Sequence, residues 1–439
     1  MPIRNWLAIV MVTGLSLACW QASHGAKPKD KDEVAELYGV FVDAVEQVQQ
    51  NYVRPVTRRE LMESALKGML GDLDQHSTYI NTSQWKSFKR QIEGKFGGVG
   101  ITVEVDDDTK RLRVVAPMVG TPAYGAGVMA GDIIMEIDGT STEGVTIDKA
   151  IELLQGQPGT PVKLQLLHEA TEKAETVTLN RAIIEVPSVM GDRRKPDDSW
   201  DFLLDPAKKV GYIRITNFIQ NTVDEVKAAV RELEGQGMKA LIVDLRDDPG
   251  GLLSAAVEIA DLFVEDGKIV STRGRNTAEK TFEARKEGTS TGYPMAVLVN
   301  HNSASASEIL AACLQDHDRA VVVGERSFGK GSVQNILDLE DGDSVLKLTV
   351  ATYWRPSGKN IHRFKNAKET DEWGVSPNPG LEVKLPPREY GDWFLARRDR
   401  DFLSSRNKPK APRDGEKAKP YVDKQLDRAL AALTEKLPK

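Results

Sequence analysis

The stretch Ala-Leu-Ile-Val-Asp-Leu-Arg-Asp-Asp-Pro-Gly-Gly-Leu-Leu at residues 240–253 decides the fold of the core. It opens with a nearly all-apolar run, which is typical of a strand buried on both faces. A Pro-Gly-Gly turn and an apolar helical run to Phe263 follow. Such strand-helix units recur from Lys209 onward and predict an α/β core with a mixed sheet. Further strands are predicted at 210–215, 296–299, 320–323 and 346–353, and further helices at 222–234 and from Ser305 or Ala306.

Two segments with different sequence patterns precede this core. From Glu33 to Lys89 apolar residues recur at helical spacing, and their exposed faces must pack on another domain or on a second copy. From Gly94 to Arg181 short alternating strands with two helices predict an independent module. After Pro386 a charged, proline-rich stretch from Arg388 to Lys419 predicts a solvated linker.

The chain ends in an amphipathic helix predicted at 422–437, which we expect to dock on its own domain or on a second subunit. The predicted organisation is therefore a signal peptide at 1–26, a helical segment at 27–92, the strand module at 93–182, the core at 183–392, and a linker with the final helix at 393–439.

The net charge and the N-terminal segment limit the functions that the chain can have. The net charge of −6 over 439 residues argues against a nucleic-acid partner. Arg4 and an apolar run from Trp6 to Leu17 predict an export signal that is too short to span a bilayer. Cys19 leaves lipidation open, although the preceding leucine is one place from its usual position. Only Cys313 remains after cleavage near Ala22 to Ala26, so no intrachain disulfide is expected.

Ser305 is the candidate nucleophile. It lies in Ser-Ala-Ser-Ala-Ser-Glu at 303–308, at the start of an apolar helical run. Ser305 and Glu308 also match a capping box, which is a purely structural role. The two roles are compatible, because the N–H groups at a helix N-terminus can stabilise the oxyanion that forms when a serine attacks a carbonyl.

Lys330 is the candidate general base, since no histidine stands in a triad-like pattern. Its glycine neighbours at 329 and 331 let the backbone turn the amine inward. Burial without a carboxylate partner would lower the lysine pKa from its ordinary value of about 10.4. Gln334 could orient the amine without adding a charge. The paired glycines Gly250 and Gly251 could supply a main-chain N–H to the oxyanion.

A phosphate loop is the alternative interpretation of the same lysine. Residues 324–330 match G-x-x-x-x-G-K, the nucleotide-binding pattern. However, Gly331 stands where that motif has Ser or Thr, and residues 333–339 predict a strand instead of the required helix. An exported location also disfavours the use of ATP, so a nucleotide-hydrolysing function is the weaker hypothesis. No cofactor or metal is expected.

Together these segments resemble the carboxyl-terminal processing (tail-specific) proteases, the S41 family of serine peptidases that use a Ser/Lys dyad. Three motifs match in order: D-L-R-D-D-P-G-G at 244–251, where the family usually has two asparagines, S-A-S-A-S-E at 303–308, and S-F-G-K-G-S-V-Q at 327–334. The strand module resembles a PDZ domain. The resemblance implies a mixed-sheet, ClpP/crotonase-like protease core with an inserted PDZ domain and a helical N-terminal segment.

The resemblance also implies catalytic roles. Ser305 matches the nucleophile, Lys330 the general base and Gln334 the residue that orients the lysine. Gly251, together with the N–H of Ser305, would form the oxyanion hole, and Gly250 stays open as the second glycine donor.

For the PDZ domain the resemblance implies capture of a free protein C-terminus, usually one with apolar last residues. The tail would add as a strand beside residues 101–103, against the helix predicted at 146–154. Gln155 departs from the arginine that many members carry after this helix, which puts substrate-gated activation by that route in doubt. The carboxylate loop would be formed by Gly98, Val99, Gly100 and Ile101.

The predicted function is that of an exported, periplasmic serine endopeptidase that recognises substrate tails. The alternative is a tail-binding PDZ module whose protease core is inactive or depends on an adaptor. An adaptor lipoprotein, a homo-oligomer and a membrane tether through Cys19 stay open as partners, whereas nucleic acid is not expected.

Overall fold

A computed structural model describes residues 29–169, 171–401 and 421–437, which fall into two compact units, one up to Tyr79 and one from Ile80. The predicted signal peptide, Cys19 and residues 402–420 of the predicted linker lie outside the described residues. No helix within the described ranges has the length and apolar content needed to cross a membrane.

The N-terminal unit is helical, as predicted. Helix α1 spans Lys29–Asn51 and helix α2 spans Arg58–Leu73. Thr57 caps α2 in a reciprocal arrangement with Glu60, which satisfies two main-chain N–H groups of the first turn. Large apolar side chains of α1 are exposed: Val34, Leu37, Tyr38, Val40, Phe41, Val42 and Val48. The short strand β1, Thr78–Ile80, marks the boundary between the units.

The second unit begins with helix α3, Thr82–Glu93, and then forms the predicted strand module. A six-stranded antiparallel sheet has the order β3-β4-β5-β7-β8, with β6 paired to β5 and β3 at an edge. Strands β2 and β9 pair separately where the chain enters and leaves the module. The elements are β2 Lys95–Gly98, β3 Ile101–Val105, β4 Leu112–Pro117, α4 Pro122–Gly125, β5 Ile133–Ile137, β6 Thr140–Ser141, α5 Ile147–Leu154, β7 Pro161–His168, β8 Lys173–Asn180 and β9 Ala182–Glu185.

The core is built on a second six-stranded sheet, in the order β10-β14-β15-β18-β19 with β13 added on β14. Four of its strands, β14, β15, β18 and β19, are parallel and apolar along most of their length, as the sequence pattern predicted. Helices α6 to α8 follow these strands. The elements are β10 Val189–Met190, β11 Arg193–Arg194, β12 Trp200–Asp201, β13 Leu203–Asp205, β14 Val210–Ile215, α6 Thr222–Gly235, β15 Ala240–Asp244, α7 Leu253–Asp261, β18 Met295–Val299, α8 Ala306–Asp316 and β19 Ala320–Gly324.

A smaller antiparallel sheet packs beside this core, in the order β20-β21-β16-β17. It supplies the strand that follows Lys330. Its strands are β16 Lys268–Arg273, β17 Lys280–Glu283, β20 Ser332–Leu339 and β21 Ser344–Trp354, and a 3-10 turn at Glu340–Gly342 joins the last two. The mixed-sheet α/β class predicted from the sequence is confirmed.

The two faces of the parallel sheet bury different partners. Side chains alternate along each strand, so Leu241 and Val243 pack against α6, α7 and α8, while Ile242 lies on the opposite face. That opposite face is covered by the last helix, α10, Lys424–Thr434, through Leu426 and Leu433. The final helix therefore docks on its own core, one of the two outcomes expected.

The predicted linker from Arg388 is wrong in its first part, because residues Pro387–Asp401 form helix α9. Proline is well suited to the first turn of a helix, where its missing N–H has no intrahelical partner. Trp393 and Arg397 of α9 are buried, and Trp393 Nε1 donates to Asp423 at 3.1 Å. Packing of these few side chains overrides a composition that resembles a solvated segment.

Candidate active site

Ser305 lies on a sharp turn between β18 and α8. Its φ of 59° falls in the left-handed region, which few non-glycine residues adopt. The preceding residues fix this turn: Ser303 Oγ donates to Leu245 O at 2.7 Å, and Ala304 N donates to Asp248 O at 2.9 Å. The strained serine is therefore held against the end of the neighbouring strand β15.

The Pro-Gly-Gly turn lies directly against Ser305. Gly250 has a φ of 95°, and a Cβ there would approach Ala304 O within 2.5 Å and Ser305 Cβ within 2.8 Å. Gly251 has a φ of 147°, and a Cβ there would come within 2.0 Å of Phe218 O. Only glycine fits at both positions, so the structure explains the pair and brings it to the serine.

The three main-chain N–H groups that were considered as oxyanion donors differ in whether they already have an acceptor. The N–H of Ser305 donates to Glu308 Oε2 at 2.8 Å, and the N–H of Gly250 donates to Asp248 Oδ1 at 2.8 Å. Among the described residues, the N–H of Gly251 has no acceptor. Of the three groups considered, Gly251 is therefore the one available to a substrate oxygen in this arrangement.

Lys330 lies in the loop between β19 and β20 and is partly buried. Burial lowers the pKa of its amine, the positive charge of Lys347 lowers it further, and Glu308 partly offsets both. Gly329, with a φ of 86°, packs so closely on Trp373 and Arg363 that a side chain would clash. In the part of the chain that the structure describes, no hydrogen bond joins Lys330 Nζ to Ser305 Oγ.

Glu308 connects the two candidate loops. Its carboxylate is fully buried and accepts four hydrogen bonds, two of them from the main-chain N–H groups of Ser305 and Lys330, each at 2.8 Å. The other two come from Ser327 Oγ at 2.5 Å and Gly329 N at 2.6 Å. Burial raises the pKa of Glu308 to about 7, despite these four donors. The capping-box pattern detected this glutamate, but its partners 19 to 22 residues downstream gave no sequence signal.

Gln334 is oriented by strand β20 and its neighbour β21. Its amide Nε2 donates to Ser332 Oγ at 2.8 Å and to Thr349 Oγ1 at 3.1 Å. With both amide protons engaged, the carbonyl Oε1 is the end of the side chain left to accept from a lysine amine.

The phosphate-loop interpretation of residues 324–330 fails on structure. The residues after Lys330 form strand β20, Ser332–Leu339, and a phosphate loop requires a helix whose N-terminus faces the phosphates. Within residues 29–169, 171–401 and 421–437, no group of three or more His, Cys, Asp or Glu side chains is arranged to hold a metal ion.

The predicted carboxylate loop connects β2 to the edge strand β3. Gly100 has a φ of 78°, and a Cβ there would collide with the Thr121 side chain at 2.3 Å. The carbonyls of Val99 and Gly100 accept from Ala123 N and Met118 N, and their N–H groups meet no acceptor among the described residues. Gly98 ends β2 and Ile101 begins β3, so the four residues form one continuous loop beside an open sheet edge.

Gln155, at the end of helix α5, contacts the helix that precedes the module. Its Oε1 accepts from Arg90 Nη1 of α3 at 2.8 Å. Gln155 therefore faces an arginine from outside the module.

Comparison with known proteins assigns both regions. The profile of Peptidase family S41 matches residues 209–377, and that of the PDZ domain matches residues 113–167. The carboxy-terminal-processing protease of Bartonella bacilliformis is 36% identical over 356 residues, covering 80% of this chain and 76% of that protein. The carboxyl-terminal-processing protease of a Synechocystis strain is 38% identical over 340 residues, covering 77% of this chain and 75% of that protein.

Among solved structures, the photosystem II D1 C-terminal processing protease is similar, with 30% identity and a TM-score of 0.45, covering 78% of this chain and 92% of that one. The sequence relatives match most of the chain. This chain therefore belongs to the carboxyl-terminal processing proteases, the serine-type peptidases of family S41, and carries their PDZ domain.

Proposed function

We propose that this protease cleaves peptide bonds with Ser305 as nucleophile and Lys330 as general base. Ser305 Oγ attacks the carbonyl carbon while the neutral amine of Lys330 takes the hydroxyl proton. The C–N bond then breaks as the ammonium returns this proton to the leaving amine. A water molecule, deprotonated by Lys330, hydrolyses the resulting ester and restores the serine.

One observation carries this proposal: the carboxylate of Glu308 accepts the main-chain N–H groups of both Ser305 and Lys330. Because the two loops share this buried acceptor, the side chains of Ser305 and Lys330 start from main-chain positions that lie close together. The lowered pKa of Lys330 supports the role of base, because the ammonium form cannot accept a proton. Gln334 Oε1 would orient the amine.

The arrangement described fits a site that closes on its substrate. Ser305 Oγ and Lys330 Nζ share no hydrogen bond, and the N–H of Ser305 is committed to Glu308. Substrate binding would bring the amine to the hydroxyl, with the free N–H of Gly251 as the first oxyanion donor and Gly250 or Ser305 as the second.

We further propose that the PDZ domain selects substrates by their free, apolar C-terminal ends. Strand β3 is an edge strand beside helix α5, so an extended tail can pair with it by main-chain hydrogen bonds. The N–H groups of Val99 and Gly100, which meet no acceptor in the described part of the chain, are suited to a terminal carboxylate.

Export to the periplasm is proposed from the leader at residues 1–26. Self-association is proposed from the exposed apolar side chains of α1, whose burial would favour a second copy of the chain. An adaptor lipoprotein and a lipid on Cys19 belong to the same proposal of delivery and anchoring, and both are accessible to mass spectrometry of the isolated protein.

The test is cleavage of an unfolded reporter with a free apolar C-terminus by the purified chain. Ser305→Ala and Lys330→Ala should each abolish cleavage without changing the melting temperature, whereas Ser254→Ala, an exposed serine on α7, should cleave at the wild-type rate. Amidation of the reporter's C-terminus should slow cleavage.

Two outcomes contradict these roles. Full activity in Lys330→Ala excludes the lysine as base. A wild-type chain that binds the reporter without cleaving it, even at saturation, supports the alternative of a tail-binding module with an inactive or adaptor-dependent core.

A further inference from the structure

Asp248, in the turn before the paired glycines, is a buried carboxyl group without a counter-charge. Its side chain is fully buried, and Oδ2 accepts no hydrogen bond from any described residue. Oδ1 accepts one hydrogen bond, from the N–H of Gly250 at 2.8 Å. One carboxyl oxygen is therefore used to hold the glycine turn, and the other faces the protein interior unpaired.

The main chain of Asp248 is tied to the serine turn as well. Its carbonyl accepts from Ala304 N at 2.9 Å and from Ser307 Oγ at 3.0 Å, one on each side of Ser305. Asp248 thus contacts the glycine turn through its side chain and the nucleophile turn through its backbone.

Among the described residues, the charged side chains on the segments that adjoin Asp248 have other partners. Arg246 binds Asp244 and Asp423, and Glu308 is occupied by four donors. The neighbouring carboxylate of Asp247 is turned away, toward donors from two other segments: Asn300, Asn302 and Tyr390.

An ionised carboxylate in such a site is energetically unfavourable, because burial removes its hydration and no neighbouring cation compensates for that loss. The usual response of a buried acid is to keep its proton. Burial raises the pKa of Asp248 well above its ordinary value, and the hydrogen bond from Gly250 offsets only part of this effect.

We propose that Asp248 is a positioning residue that acts as a neutral carboxylic acid, holding the Gly250–Gly251 turn against Ser305. The inference rests on the proposed function in so far as Gly251 serves an oxyanion formed at Ser305. Protonated aspartate is uncharged and has nearly the shape of asparagine, so the proposal predicts that asparagine can replace it.

Mutation separates a neutral role from a charged one. Asp248→Ala removes the acceptor of the Gly250 N–H and should lower kcat by about tenfold or more, with little change in KM, because one buried hydrogen bond is lost. Asp248→Asn keeps an acceptor without a charge and should retain most of the kcat that the alanine variant loses. An asparagine variant as slow as the alanine variant, with a wild-type melting temperature, overturns the proposal.

A spectroscopic measurement needs neither substrate nor turnover. At about pH 7, carboxyl groups with ordinary pKa values are ionised, so the infrared carbonyl stretch of a protonated acid reports buried acids. The wild-type spectrum minus that of Asp248→Asn should contain this band, and the wild-type spectrum minus that of Asp247→Asn should not. A difference spectrum for Asp248→Asn that lacks the band contradicts the proposal. Failure of the proposed function would appear separately, as cleavage by Ser305→Ala.

Discussion

Glu308 accepts the main-chain N–H of Lys330 at 2.8 Å, across 22 residues of sequence. The same oxygen accepts from Ser305, so one buried oxygen atom joins the two loops on which the proposed catalysis depends.

Glu308→Gln should impair both activity and stability. The amide replaces an acceptor oxygen by an N–H donor that faces main-chain N–H groups, so at least one of the four hydrogen bonds is lost. We expect kcat to fall by about tenfold or more, since a buried unpaired donor costs on the order of 1–3 kcal/mol. Steady-state kinetics with the tail reporter measures this effect, and wild-type kcat in this variant would contradict it.

The same substitution should change the dependence of stability on pH. The folded-state pKa of Glu308, about 7, exceeds its ordinary value of 4.5, so wild-type stability should decline as pH rises from 4.5 to about 7. The decline attributable to Glu308 is on the order of 3 kcal/mol. Urea unfolding at pH values on either side of this window should show the decline in Glu258→Gln, an exposed control on α7, and a smaller decline in Glu308→Gln.

Lys347→Gln should raise the pKa of Lys330, because a positive charge that disfavours the ammonium is removed. A larger fraction of Lys330 would then be protonated near neutral pH. The acidic limb of the pH profile of kcat/KM should move to higher pH, and activity at neutral pH should fall severalfold. The matched control is Lys280→Gln, on strand β17 of the same sheet, whose profile should coincide with that of the wild type. A shift of the limb to lower pH would exclude this electrostatic effect.

Asp423→Ala should destabilise the core. Asp423 accepts from Arg246 Nη1 and Nη2, both at 2.9 Å, and caps helix α10 through the N–H of Leu426. We expect the free energy of unfolding to drop by roughly 2–4 kcal/mol, because a buried ion pair and a helix cap are lost together. Asp427→Ala, in the same helical turn but exposed, should cost less than about 1 kcal/mol. Chemical denaturation measures both, and equal stability of the two variants would contradict the anchoring role.

Gly100→Ala should weaken tail recognition. The substitution strains a residue with a φ of 78° and drives a methyl group into Thr121. We expect a rise of about tenfold in KM for a reporter with a free C-terminus, with kcat nearly unchanged. Gly120→Ala carries a similar strain, with a φ of 76°, but meets open space, and so isolates the effect of the loop. An equal rise in KM for both variants would mean that the loop does not select the tail.

Much of the core was predictable from the sequence, because strands of a buried parallel sheet have continuous runs of apolar residues. Strand β14, Val210–Ile215, lies where it was predicted, and β15, Ala240–Asp244, coincides with the apolar run that opens residues 240–253. Helix α9 was missed for the opposite reason: its stability comes from Trp393 and Arg397 packing on distant residues, whereas its local composition is charged.

The site was only partly predictable. The local patterns around Ser305 and Lys330 identified both segments, and the glycine turn was recognised from its sequence. The network that joins them was not, because Glu308 contacts residues that are close only after folding. The same holds for Asp248, whose burial depends on the packing of two turns and has no signature in its neighbours.

The ion pair of Arg246 with Asp423 joins two residues that are synthesised far apart in time. Arg246 lies two residues before Asp248 on the segment that leads to the glycine turn, yet its anchor is synthesised after every other described element except helix α10. A chain synthesised only as far as α9 holds all four parallel strands, but it lacks helix α10, which covers one face of the sheet, and one of the two carboxylates that bind this arginine. The full set of contacts to Arg246, and the cover over one face of the sheet, therefore form only after residues 423–434 have been synthesised.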